Sequence, residues 1–353
     1  MSVKYHTYTI SDVRAWLYNG AQNGLSEQVI SKVRANAILH NPFVEDDMVV
    51  VTSATDGDKV VGYTAMFPDY LVRPDVRLTV PTTLYAHSDY ADEFIGYNVT
   101  KLLHDTASGR MVIGTDMAKE SALIDKLLGL KIERVDRKRY ILNRSIQVRS
   151  LRTMGSLLLE PYRKSKQRRN ISKFLSNVSN DTRVEYTDFI DQEAYQFIVA
   201  HSQNDMFLRT QEMLNWRLRY RFNVEAPLYD KVLNNSAFPS NVPYLSKYSL
   251  AKVYENEALI GVYSLTYDGP NMSVALLYTE EQYAAKTYDI LLSQVLRFDP
   301  QWFYSQYHAL NQYMDSLGLD LKNYTDKFYF THPAALPYTS DMQLQGMDGD
   351  MLA

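Results

Sequence analysis

Leu84-Tyr85-Ala86-His87-Ser88-Asp89-Tyr90-Ala91-Asp92-Glu93-Phe94-Ile95-Gly96-Tyr97-Asn98 changes its period midway. Up to His87 it continues an alternating run that begins at Leu78, the pattern of a half-buried strand. Ser88 to Phe94 is short and polar, and Ile95-Gly96-Tyr97-Asn98 opens an apolar series at helical spacing through His104. A strand that passes through a short loop into a helix brings free N–H groups and a positive dipole end to the strand's C-terminal edge. With Gly96 beside them, those donors suit a pyrophosphate.

The flanking residues give the rest of the element order. Tyr5 to Ile10 reads as a strand, and Ser11-Asp12 as the cap of a helix closed by Gly20. Ser26-Glu27 opens a second helix with Val29, Ile30, Val33, Ala37 and Ile38 on one face, stopped by Asn41-Pro42. Met48 to Thr52 and Lys59 to Met66 form a hairpin across Asp56-Gly57. Beyond the opening stretch come a strand at Met111 to Thr115, a helix from Lys119 to Leu128 and a strand from Lys131 to Leu142. The order β, α, α, β, β, β, α, β, α, β predicts an α+β unit around a mixed, mostly antiparallel sheet.

The second half repeats the first. Leu84 to Tyr90 matches Leu277-Tyr278-Thr279-Glu280-Glu281-Gln282-Tyr283, and Val61-Gly62-Tyr63 matches Ile260-Gly261-Val262. Leu128-Gly129-Leu130 matches Leu317-Gly318-Leu319. Correspondences that keep their order imply a duplicated unit. The second half adds helices at Asp191 to Ser202 and Thr210 to Arg219. The expected division is 1–148, a basic connector 149–183, 184–332, and a loosely ordered tail 333–353. The connector carries Arg149, Arg152, Arg163, Lys164, Lys166, Arg168, Arg169 and Lys173 against one acid, Glu160. It reads either as a solvated charged face or as a patch for phosphates.

Composition narrows the chemistry. The 353 residues are 46% hydrophobic and 22% charged with a net charge of -4, so the chain has ample core and no basic field for DNA. No Cys is present, which excludes disulfides, thiol nucleophiles and thiolate metal sites and fits a cytoplasmic protein. The seven His residues show no i, i+4 pair, so no metal site is expected. Met1 to Thr7 lacks the apolar run of a secretory signal, and runs such as Gly155 to Leu159 are far shorter than the ~20 residues of a membrane span. Walker A, G-x-G-x-x-G and G-x-S-x-G motifs are missing, which removes the main support for P-loop, Rossmann and hydrolase readings.

The strand, loop and helix from Leu84 to Gly96 resemble the coenzyme-A-binding segment of the GNAT N-acyltransferases, where a strand leads through R/Q-x-x-G-x-G into a helix. Met111 to Leu130 resembles that family's later Y-x-x-x-G-F element, and Leu214-Asn215-Trp216-Arg217 is similar to an L-x-W-R segment of tandem members. The resemblance implies two tandem GNAT-like domains and acetyl-CoA or another acyl-CoA as co-substrate. It implies cofactor contacts at Ala86, His87, Phe94, Ile95, Gly96 and Tyr97. Ala91 stands where the family has Arg or Gln, Phe94 replaces the first glycine, and Asp92 and Glu93 must turn outward if a phosphate is to bind. The second copy, Ala284-Ala285-Lys286-Thr287-Tyr288, has no glycine and is expected to bind no coenzyme A.

The polar candidates near the expected cleft are Tyr85, Asp116 and Glu120, with His87 beside them. Each also has a structural role open to it, since a strand Tyr packs and Asp116 suits a helix N-cap. The family's acidic Tyr falls near Ile124 or Asp125, and neither residue is a Tyr. The implied function is acyl transfer from a thioester to an amine or hydroxyl of a small acceptor lying in a groove between the two domains. The alternatives are a Fem-type aminoacyl-tRNA-dependent transferase and a non-catalytic binding protein on the same scaffold.

Overall fold

Thr9, and not Ser11, starts the first helix. Its hydroxyl accepts the Asp12 N–H at 3.2 Å while the Asp12 carboxylate accepts the Thr9 N–H at 2.9 Å, a reciprocal cap. This joins strand β1 (Lys4–Thr9) to α1 (Ile10–Asn19). The computed structural model describes residues 3–21, 23–72, 76–107, 109–142, 165, 169, 181–220, 247–268, 271–298, 300–317, 323–336 and 342–348. The second helix is shorter than the sequence predicts. Ser31 caps α2 (Lys32–Leu39) by accepting the Arg34 N–H at 3.1 Å, and residues 26–30 form a turn that still buries Val29 and Ile30.

β2 (Val49–Asp56) and β3 (Lys59–Tyr70) form the expected hairpin, with Gly57 at φ +60° in the loop. β4 (Arg77–Ala86) follows antiparallel, and its Pro81 sits at a register shift, where a missing N–H is tolerated. A 3-10 turn (Ser88–Glu93) leads into α3 (Ile95–Asp105). The single strand expected at 111–115 is two, β5 (Met111–Val112) and β6 (Gly114–Met117), then α4 (Lys119–Leu127) and β7 (Lys131–Ile141). The first sheet runs β1-β2-β3-β4-β5, with only β4-β5 parallel.

The second half repeats this order. It runs β8 (Thr182–Thr187), α5 (Gln192–His201), α6 (Gln211–Arg219), β9 (Lys247–Glu255), β10 (Ala258–Asp268) and β11 (Asn271–Thr279). A 3-10 turn (Glu281–Tyr283), α7 (Ala284–Phe298), β12 (Trp302–Ser305), α8 (His308–Ser316) and β13 (Asn323–His332) complete it.

The repeat holds at the level of register. Gly62 pairs with Ala86, the residue after Tyr85, and Gly261 pairs with Thr279, the residue after Tyr278. His87 N–H donates to Val61 C=O at 2.8 Å and Glu280 N–H to Ile260 C=O at 2.9 Å. Both glycines lie under the start of a helix. A Cβ on Gly62 would come 2.3 Å from Ile95 Cγ2, and one on Gly261 2.7 Å from Thr287 Oγ1. Gly318 and nearly all of the basic stretch 149–173 lie outside the described residues.

The chain divides into two compact units that are not consecutive in sequence: Met1–Val135, Gln203–Tyr244 and Lys327–Ala353 form one, Asp136–Ser202 and Leu245–Asp326 the other. In unit 1, β13 pairs antiparallel with β6 (Tyr329↔Met117). In unit 2, β7 pairs antiparallel with β12 (Tyr140↔Phe303), and the strands run on as β11-β10-β9-β8. The closing strand of each half thus pairs with a strand of the other half.

The two added helices part company, α5 in unit 2 and α6 in unit 1. Trp216 of α6 is buried beside Phe67 and donates its indole N–H to Ala37 C=O at 2.8 Å. Arg217 pairs with buried Asp69, and Arg209 binds Asp205 and makes a two-nitrogen contact with Asp348. The tail is correspondingly ordered where described: Leu336, Gln345, Met347 and Asp348 are all buried. Two of its polar side chains meet buried partners from residues 205–217: Gln345 donates to Asp205, and Asp348 accepts from Arg209. Among the described residues no helix is long and apolar enough to cross a membrane.

Candidate functional site

In unit 1 the parallel pairing of β4 with β5 lasts only for Leu78↔Met111 and Thr79↔Val112, closed by Ile113 N–H on Thr79 C=O at 3.0 Å. β4 then continues to Ala86 while β6 turns to β13, so the sheet opens as a wedge. Because His87 N–H faces Val61, ladder alternation turns the backbone groups of Tyr85 toward β3 and those of Thr82, Leu84 and Ala86 toward the open edge. Arg34 of α2 reaches that edge, donating to Thr82 C=O at 3.2 Å and Thr82 Oγ1 at 2.9 Å.

The loop above the wedge is set by His87 and Phe94. His87 Nδ1 accepts the Asp89 N–H at 3.2 Å and so caps the 3-10 turn. Phe94, 70% exposed, adopts φ +54°, a left-handed conformation that non-glycine residues rarely take. That break ends the turn and starts α3 with no side-chain cap, leaving the first-turn donors of Ile95, Gly96 and Tyr97 at the wedge mouth. Asp92 and Glu93 are exposed, the outward orientation an anion here requires.

The sequence-predicted residues divide between two faces of β4. Leu84 packs with Ile95 and Val99 of α3, whereas Tyr85 lies on the other face, its ring 5.2 Å from that of Tyr63. Ile95 is buried over Gly62 and Tyr97 is half-buried. Gly96 is buried with its Cβ direction toward Ile124 of α4 (3.3 Å) and Ala86 (3.5 Å), so its smallness serves helix-strand approach. The space where a side chain would lie faces Ile124 and Ala86 and not an open site. Glu120 is exposed in the first turn of α4. Asp116 lies in β6 and is not the cap of α4, a place held by Ala118; its side chain is outside the described residues.

Sequence reasoning passed over Arg34 and left Asp125 without a role. Asp125 is buried with its Oδ2 accepting the Thr331 hydroxyl at 2.5 Å and its Oδ1 3.8 Å from His104 Nε2. Burial pushes its carboxyl up to about 6 against the Thr331 hydrogen bond, and burial pushes His104 down to about 4. The signal was a carboxylate three residues after Ala122, on the buried face of α4.

Unit 2 has the same wedge, filled differently. β11 pairs with β12 only from Asn271 to Ser273, and the Tyr307 hydroxyl donates to Ala275 C=O at 3.2 Å on the edge beyond. Its 3-10 turn runs straight into α7 through Ala284 at φ -56°, with no left-handed break.

No protein-family model and no curated protein matches the sequence. Solved structures do resemble it. A GCN5-related N-acetyltransferase from Kribbella flavida matches 94% of this chain and 71% of its own, at 11% identity and a TM-score of 0.51. A tandem GNAT protein from the clavulanic acid biosynthesis pathway matches over 96% of this chain and 100% of its own, at 13% identity and a TM-score of 0.50. A GCN5-related N-acetyltransferase from Anabaena variabilis matches 94% and 72%, at 9% identity and a TM-score of 0.50. The fold is that of the GNAT N-acetyltransferases.

Proposed function

We propose that unit 1 is a coenzyme-A-dependent acyltransferase that moves the acyl group of acetyl-CoA or another acyl-CoA to an amine or hydroxyl of a small acceptor. One observation carries the reading: the wedge beside β4 opens beneath a helix N-terminus that Phe94 leaves uncapped. Backbone donors there suit a pyrophosphate, and the open edge at Leu84 and Ala86 suits the amides of an extended pantetheine arm. In the reaction the acceptor nitrogen or oxygen bonds to the thioester carbon, the C–S bond breaks, the acceptor loses a proton and the thiolate gains one. Edge N–H groups polarise the carbonyl as charge develops on its oxygen. Tyr85 is our choice for the proton donor, and Asp116 and Glu120 for the groups that take the acceptor's proton.

The test is a thermal-shift series on the full chain with coenzyme A, acetyl-CoA and longer acyl thioesters. A ligand at 100 times its Kd adds about 2.7 kcal/mol of stability. Gly96→Val, which must push α3 away from Ala86 and Ile124, should lose the shift, and Gly96→Val/Ile124→Ala, which returns the space, should recover it. No shift with any thioester would leave the non-catalytic reading in its place. The Fem-type reading leaned on the basic stretch, and no described residue favours it.

A further inference from the structure

A cavity of about 60 Å³ lies at the opposite end of α3 from Phe94, walled in part by Glu45, Met66, Arg77, Thr106 and Arg110. Eleven residues of helix separate it from the wedge mouth, about 16 Å at ~1.5 Å per residue. The Arg110 side chain is only 4% exposed, with Nη2 2.9 Å from Glu45 Oε1. The same Oε1 accepts a hydrogen bond from Arg77 Nη1 at 3.0 Å. Two guanidinium groups therefore share one carboxylate. The Arg110 contact is an ion pair without hydrogen-bond alignment, and among the described residues neither of its terminal nitrogens has a hydrogen-bond partner.

A buried cation with unmet donors is costly, and an acceptor of opposite charge removes that cost. Asp47 also borders the cavity but is exposed, so water screens its charge. The Glu45 carboxylate offsets one of the two guanidinium charges, and Arg77 is itself half exposed. The net attraction therefore rests mainly on buried Arg110, against the partial negative charge at the C-terminal end of α3. One water needs only about 10–15 Å³ of such space, so the cavity has room for one small acidic head group.

We infer that this cavity is an oxyanion site, in which Arg110 and Arg77 hold the carboxylate or phosphate group of a small ligand. The site is separate from the wedge and does not depend on the acyl-transfer reading. The experiment measures the Tm of the full chain in sodium chloride, sodium acetate and sodium phosphate at matched ionic strength. Acetate or phosphate should raise Tm above chloride in a saturable way, and whichever does so identifies the head group. Arg77→Gln, at a half-exposed position, should weaken that binding about tenfold or more, since it removes a charge-assisted donor. Arg110→Met should abolish it; should that variant fail to fold, Arg77→Gln decides. Equal Tm in all three salts overturns the inference, as does a shift that survives Arg77→Gln unchanged, because the anion then sits elsewhere.

Discussion

Asp125→Asn should make the protein more stable at alkaline pH and leave it unchanged near pH 4. The carboxyl is buried among α3, α4, β6 and β13, its hydrogen-bond donor is the neutral Thr331, and its titratable neighbour His104 is pushed down to about 4. No described cation is paired with it above that pH. Burial pushes Asp125 from 3.8 up to about 6. Between those values the native state binds more protons than the unfolded state, so this group lowers stability as pH rises through the window. Above the window both states are ionised and the native state carries the whole cost. Roughly two pH units at about 1.36 kcal/mol each give about 3 kcal/mol. Asparagine keeps an oxygen for Thr331 and turns an N–H toward His104 Nε2, so little packing is lost. The assay is denaturant unfolding of parent and variant from pH 4 to pH 8. His104 titrates in the opposite sense over an overlapping range, so the difference between the two curves is the observable. A variant less stable than the parent at pH 8, or a difference flat in pH, would refute the account.

Other substitutions test other parts. Asp348→Asn leaves buried Arg209 short of a two-nitrogen partner and should cost on the order of 3–5 kcal/mol in the unfolding of unit 1. A loss below about 1 kcal/mol by denaturant titration would mean the tail does not clamp this unit. Glu257 sits at φ +65° in the β9-β10 loop after Asn256 at φ +47°, the loop in which Asn-Gly is preferred. Glu257→Gly should therefore raise stability by about 1 kcal/mol, read as a higher Tm, and a lower Tm counts against the left-handed assignment. Asp92→Asn/Glu93→Gln should tighten coenzyme A binding, more at low salt than at high, because both carboxylates are exposed near the expected pyrophosphate. Calorimetry showing equal affinity at both salt concentrations would place the phosphates elsewhere.

The elements of the first half were legible because each carries a local signal: the alternation of β4, the hairpin at Asp56-Gly57, the helical spacing of α3. The repeat was legible because Gly62 and Gly261 are required where a helix presses on a strand. The exchange of β7 and β13 was not, since pairing with Trp302 or Met117 depends on partners far away in the chain. The same holds for Asp348, whose polar neighbourhood reads as tail until Arg209 is seen beside it. At the site, the uncapped start of α3 could be read from the loop preceding Gly96. The direction of Gly96 could not, because that depends on Ile124 arriving from another helix.

The two wedges differ in what occupies the carbonyl edge of their splayed strand, and this difference is our reason for proposing unit 1 as the half that takes a thioester. Thr82 and Ala275 both stand three residues before their strand's tyrosine, and both carbonyls accept a side-chain donor. In unit 2 the donor is Tyr307, which follows β12, the other arm of the wedge, so its phenol spans the gap a pantetheine arm would need. In unit 1 the donor is Arg34, which comes from α2 and not from the arm formed by β6. The loops agree with the edges. Unit 2 runs its turn into α7 without a break, so its first N–H groups are not presented as a separate helix start. Unit 1 holds Phe94 in a left-handed conformation at an energetic cost of roughly 1–2 kcal/mol, and what that conformation produces is a free helix N-terminus. Strain kept in this loop of one copy and absent from the matching loop of the other is what leads us to propose unit 1 as the ligand-binding half.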